Sequence, residues 1–328
     1  MEKKQRAERN RTIVLTPEEE KLYLSRCLTE EAMISSSHIT KGSSIAGVSG
    51  IIDQVIYGDC FQALSRLPNQ SVDLLIVDPP YNLDKTFSTS KFRKMAAADY
   101  EAFTRQWLNS LVHTLKDTAS IYVCCDWKSS LIIGPVLSDF FLVQNRITWQ
   151  REKGRGSLSN WKNGMEDIWF ATASKKYTFN AEAVKQRRKV IAPYRINGQP
   201  KDWQETAEGK YRDTYPSNFW EDISIPYWSM AENTDHPTQK PEKLYAKLIL
   251  ASSNTGGIIL DPFAGVGTAC VVAKKLGRHY IGIEKEAQYC ALAAKRLEMA
   301  DKDASIQGYA NNVFWERNSL AAQKKERG

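Results

Sequence analysis

No run in this chain approaches the ~18 uncharged apolar residues that a membrane-spanning helix requires. The N-terminus is charged (Glu2, Lys3, Lys4, Arg6, Glu8, Arg9, Arg11) and lacks the apolar core of a secretory signal. The six cysteines (Cys27, Cys60, Cys124, Cys125, Cys270, Cys290) include no CxxC pair, and no histidine stands at metal-ligand spacing from a cysteine pair. A disulfide framework and a structural metal centre are therefore not expected, and no metal ligand is assigned. Internal repeats are also missing. These absences point to a soluble, cytoplasmic protein with buried, reduced thiols and no membrane partner.

What is present is ordinary in amount and uneven in distribution. At 328 residues, 42% hydrophobic and 25% charged, the chain suffices for one large α/β domain with an elaboration, or for two smaller domains. The net charge of +7 is modest, but residues 185–201 hold Lys185, Arg187, Arg188, Lys189, Arg195 and Lys201 without one acid, with Tyr194 and Trp203 among or just beyond them. Such a patch can follow a phosphate backbone; a solvated loop is the alternative.

Residues 1–50 read as an N-terminal extension, with a short helix from Pro17 to Leu28 and a Ser/Gly-rich linker from Ser35 to Gly50. From Ile51 short β-rich runs alternate with amphipathic segments. Strands are expected over 53–59, 72–77, 119–125, 142–149 and 167–173. Helices are expected over 60–67 and 100–115, the latter from the spacing of Phe103, Trp107, Leu111 and Leu115. A weaker helix runs from Leu131 to Phe140, where Gly134-Pro135 suits only a first turn. The period is lost over 181–230, which reads as an inserted recognition module outside the sheet. Order returns with a helix over 242–252, a strand over 257–261, a helix over 265–276 closed by Gly277, a strand over 279–284 and a helix over 286–299. This alternation predicts an α/β fold, Rossmann-like, with a mostly parallel sheet covered by helices on both faces. The implied divisions are an extension and linker over 1–50, a first half of the main domain over 51–180, the insertion over 181–230, a second half over 231–300 and a tail over 301–328.

Two motifs carry chemistry. Asp78-Pro79-Pro80-Tyr81 ends the run Val72–Val77. It joins an acceptor-bearing strand end to a rigid double proline and an aromatic ring, which suits it to grip the exocyclic amine of a flat heterocycle and stack on its face. Far downstream, Asp261-Pro262-Phe263-Ala264-Gly265-Val266-Gly267-Thr268 opens a strand–helix–strand unit that ends in Glu284, 19 positions after Gly265. Gly265 and Gly267 permit a tight turn at a helix N-terminus, and an acid at the next strand end can accept both ribose hydroxyls of an adenosine-containing ligand. A dinucleotide fingerprint would want a third small residue where Cys270 stands, and a carboxylate at Asp261 would face its pyrophosphate. A phosphate-free adenosine ligand with a cationic amino group fits that acid better, and S-adenosylmethionine is one.

The order of these motifs, together with His236-Pro237-Thr238-Gln239-Lys240-Pro241 just before the second, resembles the β-class amino DNA methyltransferases, N6-adenine and N4-cytosine. The resemblance covers about Val55 to Leu297, apart from residues 181–230. It implies that Asp78 and the Pro79 carbonyl accept from the target amine, that Pro80 helps fix their aim, and that Tyr81 stacks on the base. It implies that Asp261, Phe263, Gly265, Gly267 and Thr268 form the cofactor loop, that Glu284 takes the ribose and that Asp59 contacts the adenine. Thr238, Gln239 and Lys240 would lie near the methionine end. Two acceptors on the amine hydrogens would free its delocalised lone pair for in-line attack on a sulfonium methyl, with no covalent intermediate. The base must first leave the duplex.

Aspartate at the first catalytic position resembles the N6-adenine enzymes, so adenine is favoured over the N4 of cytosine. Arg187, Arg188, Arg195, Lys201 and Arg212 are the candidate contacts to double-stranded DNA, and Lys85, Lys91, Arg93 and Lys94 belong to a loop able to close on it. Asn160–Asn163 and Phe219–Asp222 resemble segments that border the recognition region. A homodimer and a restriction endonuclease partner are further implications. The competing readings are an RNA-base or protein-amide methyltransferase, a catalytically silent DNA-binding partner, and a nicotinamide oxidoreductase.

Overall fold

A computed structural model describes residues 8–35, 50–86, 91–151, 158–191, 193–206, 209–317, 319 and 323; most of the expected linker lies outside these. A nine-stranded sheet organises the chain. Its order from one edge is Leu28–Thr29, Gln54–Tyr57, His279–Glu284, Ile258–Asp261, Val72–Val77, Leu115–Cys125, Met165–Thr172, Leu142–Gln150 and Phe219–Trp220. Neighbours run parallel except the Met165–Thr172 strand, which is antiparallel to both of its own. The central strands carry near-continuous apolar runs because both faces are covered. Helices Cys60–Leu64, Ala97–Leu111 and Trp127–Phe140 bury Leu64, Trp107, Leu111, Ile133 and Leu137 on one face. Helices Glu242–Ser252, Thr268–Lys275 and Ala287–Lys302 bury Leu248, Val272, Cys290 and Leu297 on the other.

Connections from Val72–Val77 wind toward one edge and those from Ile258–Asp261 toward the other. The carboxyl ends of these two adjacent strands therefore flank a topological switch point, where parallel α/β sheets place their ligands. Asp78 follows one end and Asp261 closes the other.

Four expectations are corrected. The helix expected from Leu131 begins at Trp127, where Asp126 caps it by accepting from Ser129 N at 3.0 Å, and it runs through Pro135. Leu131 and Pro135 both lie on the exposed face, so water can serve the carbonyl that proline leaves without a donor. Gly134 is required by packing instead, since a Cβ there would come within 2.4 Å of the Trp169 ring. Residues 181–230 are not wholly outside the sheet, because Phe219–Trp220 adds its last strand, held by Trp149 Nε1 donating to the Ile223 carbonyl at 2.9 Å. The same region builds a second, five-stranded sheet in the order Gln204–Thr206, Gly209–Thr214, Gln186–Lys189, Val313–Trp315, Tyr309–Ala310. Residues 309–315 are thus not tail, and Phe314 and Trp315 are buried.

The N-terminal segment is also tied down. Thr16 and Glu19 form a reciprocal cap on helix Pro17–Leu24, Glu19 pairs with Lys295 at 2.7 Å, and Leu28–Thr29 supplies the sheet's first strand. Where the two sheets meet, Asp222 accepts from Lys247 at 2.9 Å and pairs with Lys243 at 2.6 Å. Lys247, 1% exposed, lies over Trp220 and Phe314. Burial alone would raise the Asp222 pKa, but Lys247 and Lys243 hold it below the ordinary value, while burial pushes Lys247 down to about 8.

Candidate active site

A cavity of about 500 Å³ opens at the switch point. The adjacent strand ends present, in spatial order, Asp59, Glu284, Asp261 and Asp78. One wall is the 261–268 loop and the other is the 78–81 turn.

The loop folds through its glycines. Gly265 has φ +52° and Gly267 φ +71°. A Cβ on Gly267 would lie 2.7 Å from that of Ala293, so helix Ala287–Lys302 packs directly against the turn. Glu284 receives the loop backbone: Gly265 N–H donates to one carboxylate oxygen and Glu286 N–H to the other, each at 2.8 Å. Burial raises the Glu284 pKa and these bonds oppose the rise. Asp261 accepts from Phe263 N–H at 3.1 Å and is 2% exposed. Among the described residues no cation pairs with it. Burial, with Asp78 and Glu284 adding repulsion, pushes its pKa up to about 8. Phe263 meets Trp107 edge-on at 6.2 Å, and Asp59 caps helix Cys60–Leu64 at the rim of the cavity.

This donor set fits S-adenosylmethionine: an isolated buried carboxylate suits a cationic amino group, acids at neighbouring strand ends suit hydroxyls, and Phe263 and Ile283 offer apolar walls. Burial lowers the His236 pKa to about 4, despite the attraction of Asp78. The ring is neutral at pH 7 and packs edge-on to Tyr289 above Gly265.

The turn is held from several sides. The Pro80 carbonyl accepts from Tyr100 Oη at 3.0 Å. Asn82 Nδ2 donates to the Met95 carbonyl at 3.0 Å and its Oδ1 accepts from Met95 N at 2.7 Å. Beyond it Lys85–Thr86 pairs with Lys91–Phe92. Tyr81 Oη lies 2.9 Å from Asp78 Oδ1 and 3.1 Å from Glu166 Oε2. Lys240 Nζ donates to Asp78 Oδ2 at 2.6 Å and stands 3.4 Å from Glu166, while Arg151 Nη1 donates to Glu166 Oε1. Burial disfavours the charge on Lys240, yet Asp78 and Glu166 outweigh it and raise its pKa.

The structure thus brings Asp59, Asp78, Pro79, Pro80, Tyr81, Thr238, Gln239, Lys240, Asp261, Phe263, Gly265, Thr268 and Glu284 to the lining of one cavity. Several of these also have partners within the protein. Lys240 sits on Asp78. Gln239 braces its own loop, accepting from Thr234 N and donating to the Glu232 carbonyl. Thr238 N–H donates to His236 Nδ1, and the Thr268 hydroxyl accepts from Arg296 at 3.0 Å. Glu166 and Arg151 went unread, although acids opening an otherwise apolar strand (Glu166-Asp167 before Ile168-Trp169-Phe170) were a signal.

The expected DNA contacts divide. Arg187 is held by Asp213 through two bonds of 2.8 and 2.9 Å and lies over Trp315. Arg188 and Arg212 are cross-strand partners in the second sheet, and so share a face; Arg212 also lies 3.4 Å from Asp202. Arg195 and Lys201 are exposed around a two-residue ladder, over Trp203 and Tyr194 respectively. Trp161 is 93% exposed, whereas Trp220 is buried.

A family model described as DNA methylase, of the N6/N4 methyltransferase type, matches residues 72–295. The Type II methyltransferase M.HpaI of Haemophilus parainfluenzae is 35% identical over 252 residues, 75% of this chain and 74% of its own. The DNA adenine methyltransferase YhdJ of Escherichia coli strain K12 is 33% identical over 258 residues, 75% of this chain and 83% of its own. Among solved structures, the M1.HpyAVI–SAM complex superposes with a TM-score of 0.53 at 24% identity, over 74% of this chain and 98% of that one. The cytosine-N4-specific PvuII DNA methyltransferase gives 0.57 at 16% identity, over 74% and 85%. At these identities the two structures speak for the fold.

Proposed function

The chain belongs to the N6/N4 DNA methylase family, and from that premise we propose that it methylates the exocyclic N6 of an adenine flipped out of duplex DNA, with S-adenosylmethionine as donor. The observation that carries this reading is that Asp78 and Asp261, at the ends of adjacent parallel strands, face one cavity of about 500 Å³. An amine acceptor and a cofactor loop thereby share a space. A relative 33% identical is named a DNA adenine methyltransferase, which supports adenine, as does aspartate at the head of the catalytic turn.

In the mechanism, Asp78 and the Pro79 carbonyl accept the two amine hydrogens and localise the nitrogen lone pair. The prolines fix these acceptors in advance. Tyr81 offers a stacking face to replace the one the base loses on leaving the helix. Asp261 receives the cationic amino end of the donor, Glu284 the ribose, and Asp59 lies on the adenine side. When bound, S-adenosylmethionine supplies an electrophilic methyl group. The exposed cations Arg195, Lys201 and Arg212, with the half-buried Arg188 beside Arg212, contact the phosphate backbone. Assembly as a homodimer and pairing with a restriction endonuclease belong to this proposal, the second in keeping with the Type II name of one relative.

The test is methyl transfer from labelled donor to duplex DNA, RNA and protein, followed by identification of the methylated base and its sequence context. N6-methyladenine in duplex DNA is expected. N4-methylcytosine, or label confined to RNA or protein, would overturn the reading.

A further inference from the structure

We propose that Glu166 is a positioning residue that draws the Tyr81 hydroxyl off Asp78 as the target base enters, so that Asp78 Oδ1 becomes free to accept the exocyclic amine. The inference rests on the N6-adenine reading above and deepens it.

Both Asp78 oxygens are engaged, Oδ1 by Tyr81 Oη at 2.9 Å and Oδ2 by Lys240 Nζ at 2.6 Å. An incoming amine must displace one of them. Releasing Lys240 would separate a charge pair whose ammonium side chain is 5% exposed, which is costly in a buried site. Releasing Tyr81 needs much less. Its hydroxyl already lies 3.1 Å from Glu166 Oε2, so a turn of the O–H about the Cζ–Oη bond transfers its hydrogen bond from one carboxylate to the other. No backbone moves, and the ring keeps its place beside the base.

Glu166 suits this task because it is rigid and still able to accept. It lies in the Met165–Thr172 strand, opposite Trp149 in the neighbouring strand, with its side chain 5% exposed. Arg151 anchors Oε1, and Lys240 stands 3.4 Å from Oε2. Burial first, then Asp78 and Glu166, push the Tyr81 pKa well above the ordinary phenol value, so the hydroxyl keeps the proton it must donate. A carboxylate oxygen has lone pairs for both Tyr81 and Lys240.

The double-mutant cycle of Glu166→Gln with Tyr81→Phe tests this on the full chain. The readout is the single-turnover rate of adenine methylation, with S-adenosylmethionine affinity as a control. Replacing Glu166 by Gln puts an amide donor where an acceptor is needed and should lower the rate by about tenfold or more while leaving cofactor affinity within about twofold. In the Tyr81→Phe background there is no hydroxyl to move, and the same change should cost less than about threefold. A Glu166→Asp series repeats the cycle with the negative charge kept for Arg151 and Lys240, so a folding defect in the Gln variant leaves the test intact. Additive losses in both series would overturn the inference. Absence of adenine methylation by the unmodified protein would instead strike the underlying functional reading.

Discussion

Replacing Asp261 by Asn should stabilise the cofactor-free protein while weakening its hold on the cofactor. The pKa of Asp261 rises from the ordinary 3.8 to about 8, first through burial and then through repulsion from Asp78 and Glu284. A native pKa above the unfolded one means that the native state holds more protons between these values. Stability is therefore fully present below about pH 4, falls as pH rises toward 8, and levels off above it. The slope is about 1.4 kcal/mol per pH unit, which makes the penalty at pH 7 about 4 kcal/mol. Asparagine removes the ionisation and keeps an oxygen for the Phe263 N–H. Glu232, whose pKa burial and Glu242 push up to about 8, titrates in the same range but is common to both proteins. The assay is urea unfolding of the two proteins without cofactor at pH 5, 7 and 8.5. The stability gap should widen by about 3 kcal/mol from pH 5 to 7 and then flatten near pH 8. In parallel, calorimetric titration with S-adenosylmethionine should show affinity reduced by about tenfold or more, as a buried ionic contact to the amino group is lost. A gap that does not change with pH, or a variant less stable at pH 8.5, would refute the assignment of Asp261 as a carboxylate held ready for a cation.

Asp78→Ala should reduce methyl transfer by about 10²–10³-fold, the scale for losing one preorganised electrostatic contact, with cofactor binding largely retained; unchanged transfer would remove Asp78 from the mechanism. Gly267→Ala forces a side chain into φ +71° and brings its Cβ to 2.7 Å from that of Ala293. Thermal melts should register a loss of about 2–3 kcal/mol, and a wild-type midpoint would show that the turn relaxes freely. Neutralising Arg188 and Arg212 together should lower the slope of log K against log salt for duplex DNA by about 2 units. Arg187→Ala, which strips a partner from Asp213, should show itself mainly in stability. A salt slope unmoved by the double variant would take that face out of the DNA interface.

The central fold was legible because its signals are local. The apolar run Val72–Val77, the glycine turn after Asp261 and the acid at Glu284 each declare an element within a few residues, and their order declares the sheet. What stayed hidden depends on contacts between distant positions. Glu166 meets Tyr81 across 85 residues, and Lys240 meets Asp78 across 162; nothing near either residue indicates the partner. Lys240 was expected to lie near the methionine end of the donor, and its pairing with Asp78 in the same cavity was not foreseen. Phe219–Trp220 read as part of an insertion outside the sheet because two residues carry no period, and what pins them to the sheet edge is contact with the distant residues Asn145, Arg146, Thr148 and Trp149. The helix through Pro135 misled for a related reason, since a proline is tolerated where water can reach the carbonyl it orphans, and exposure is a tertiary property.

On the proposed role of residues 181–230 in target recognition, the second sheet has a consequence for attempts to re-engineer which DNA site is recognised. Its strands come from 186–214 and from 309–315, on either side of the strands and helices between Glu242 and Lys302. The two contributions meet over Lys243 and Lys247, whose ammonium groups reach Asp222 and, for Lys243, the Trp315 carbonyl. A graft exchanging residues 181–230 alone would leave the host's Phe314 and Trp315 facing a foreign surface and its two lysines without their aspartate. The transferable unit is discontinuous: the insert, the C-terminal strand pair and the lysine-bearing face of helix Glu242–Ser252 have to travel together.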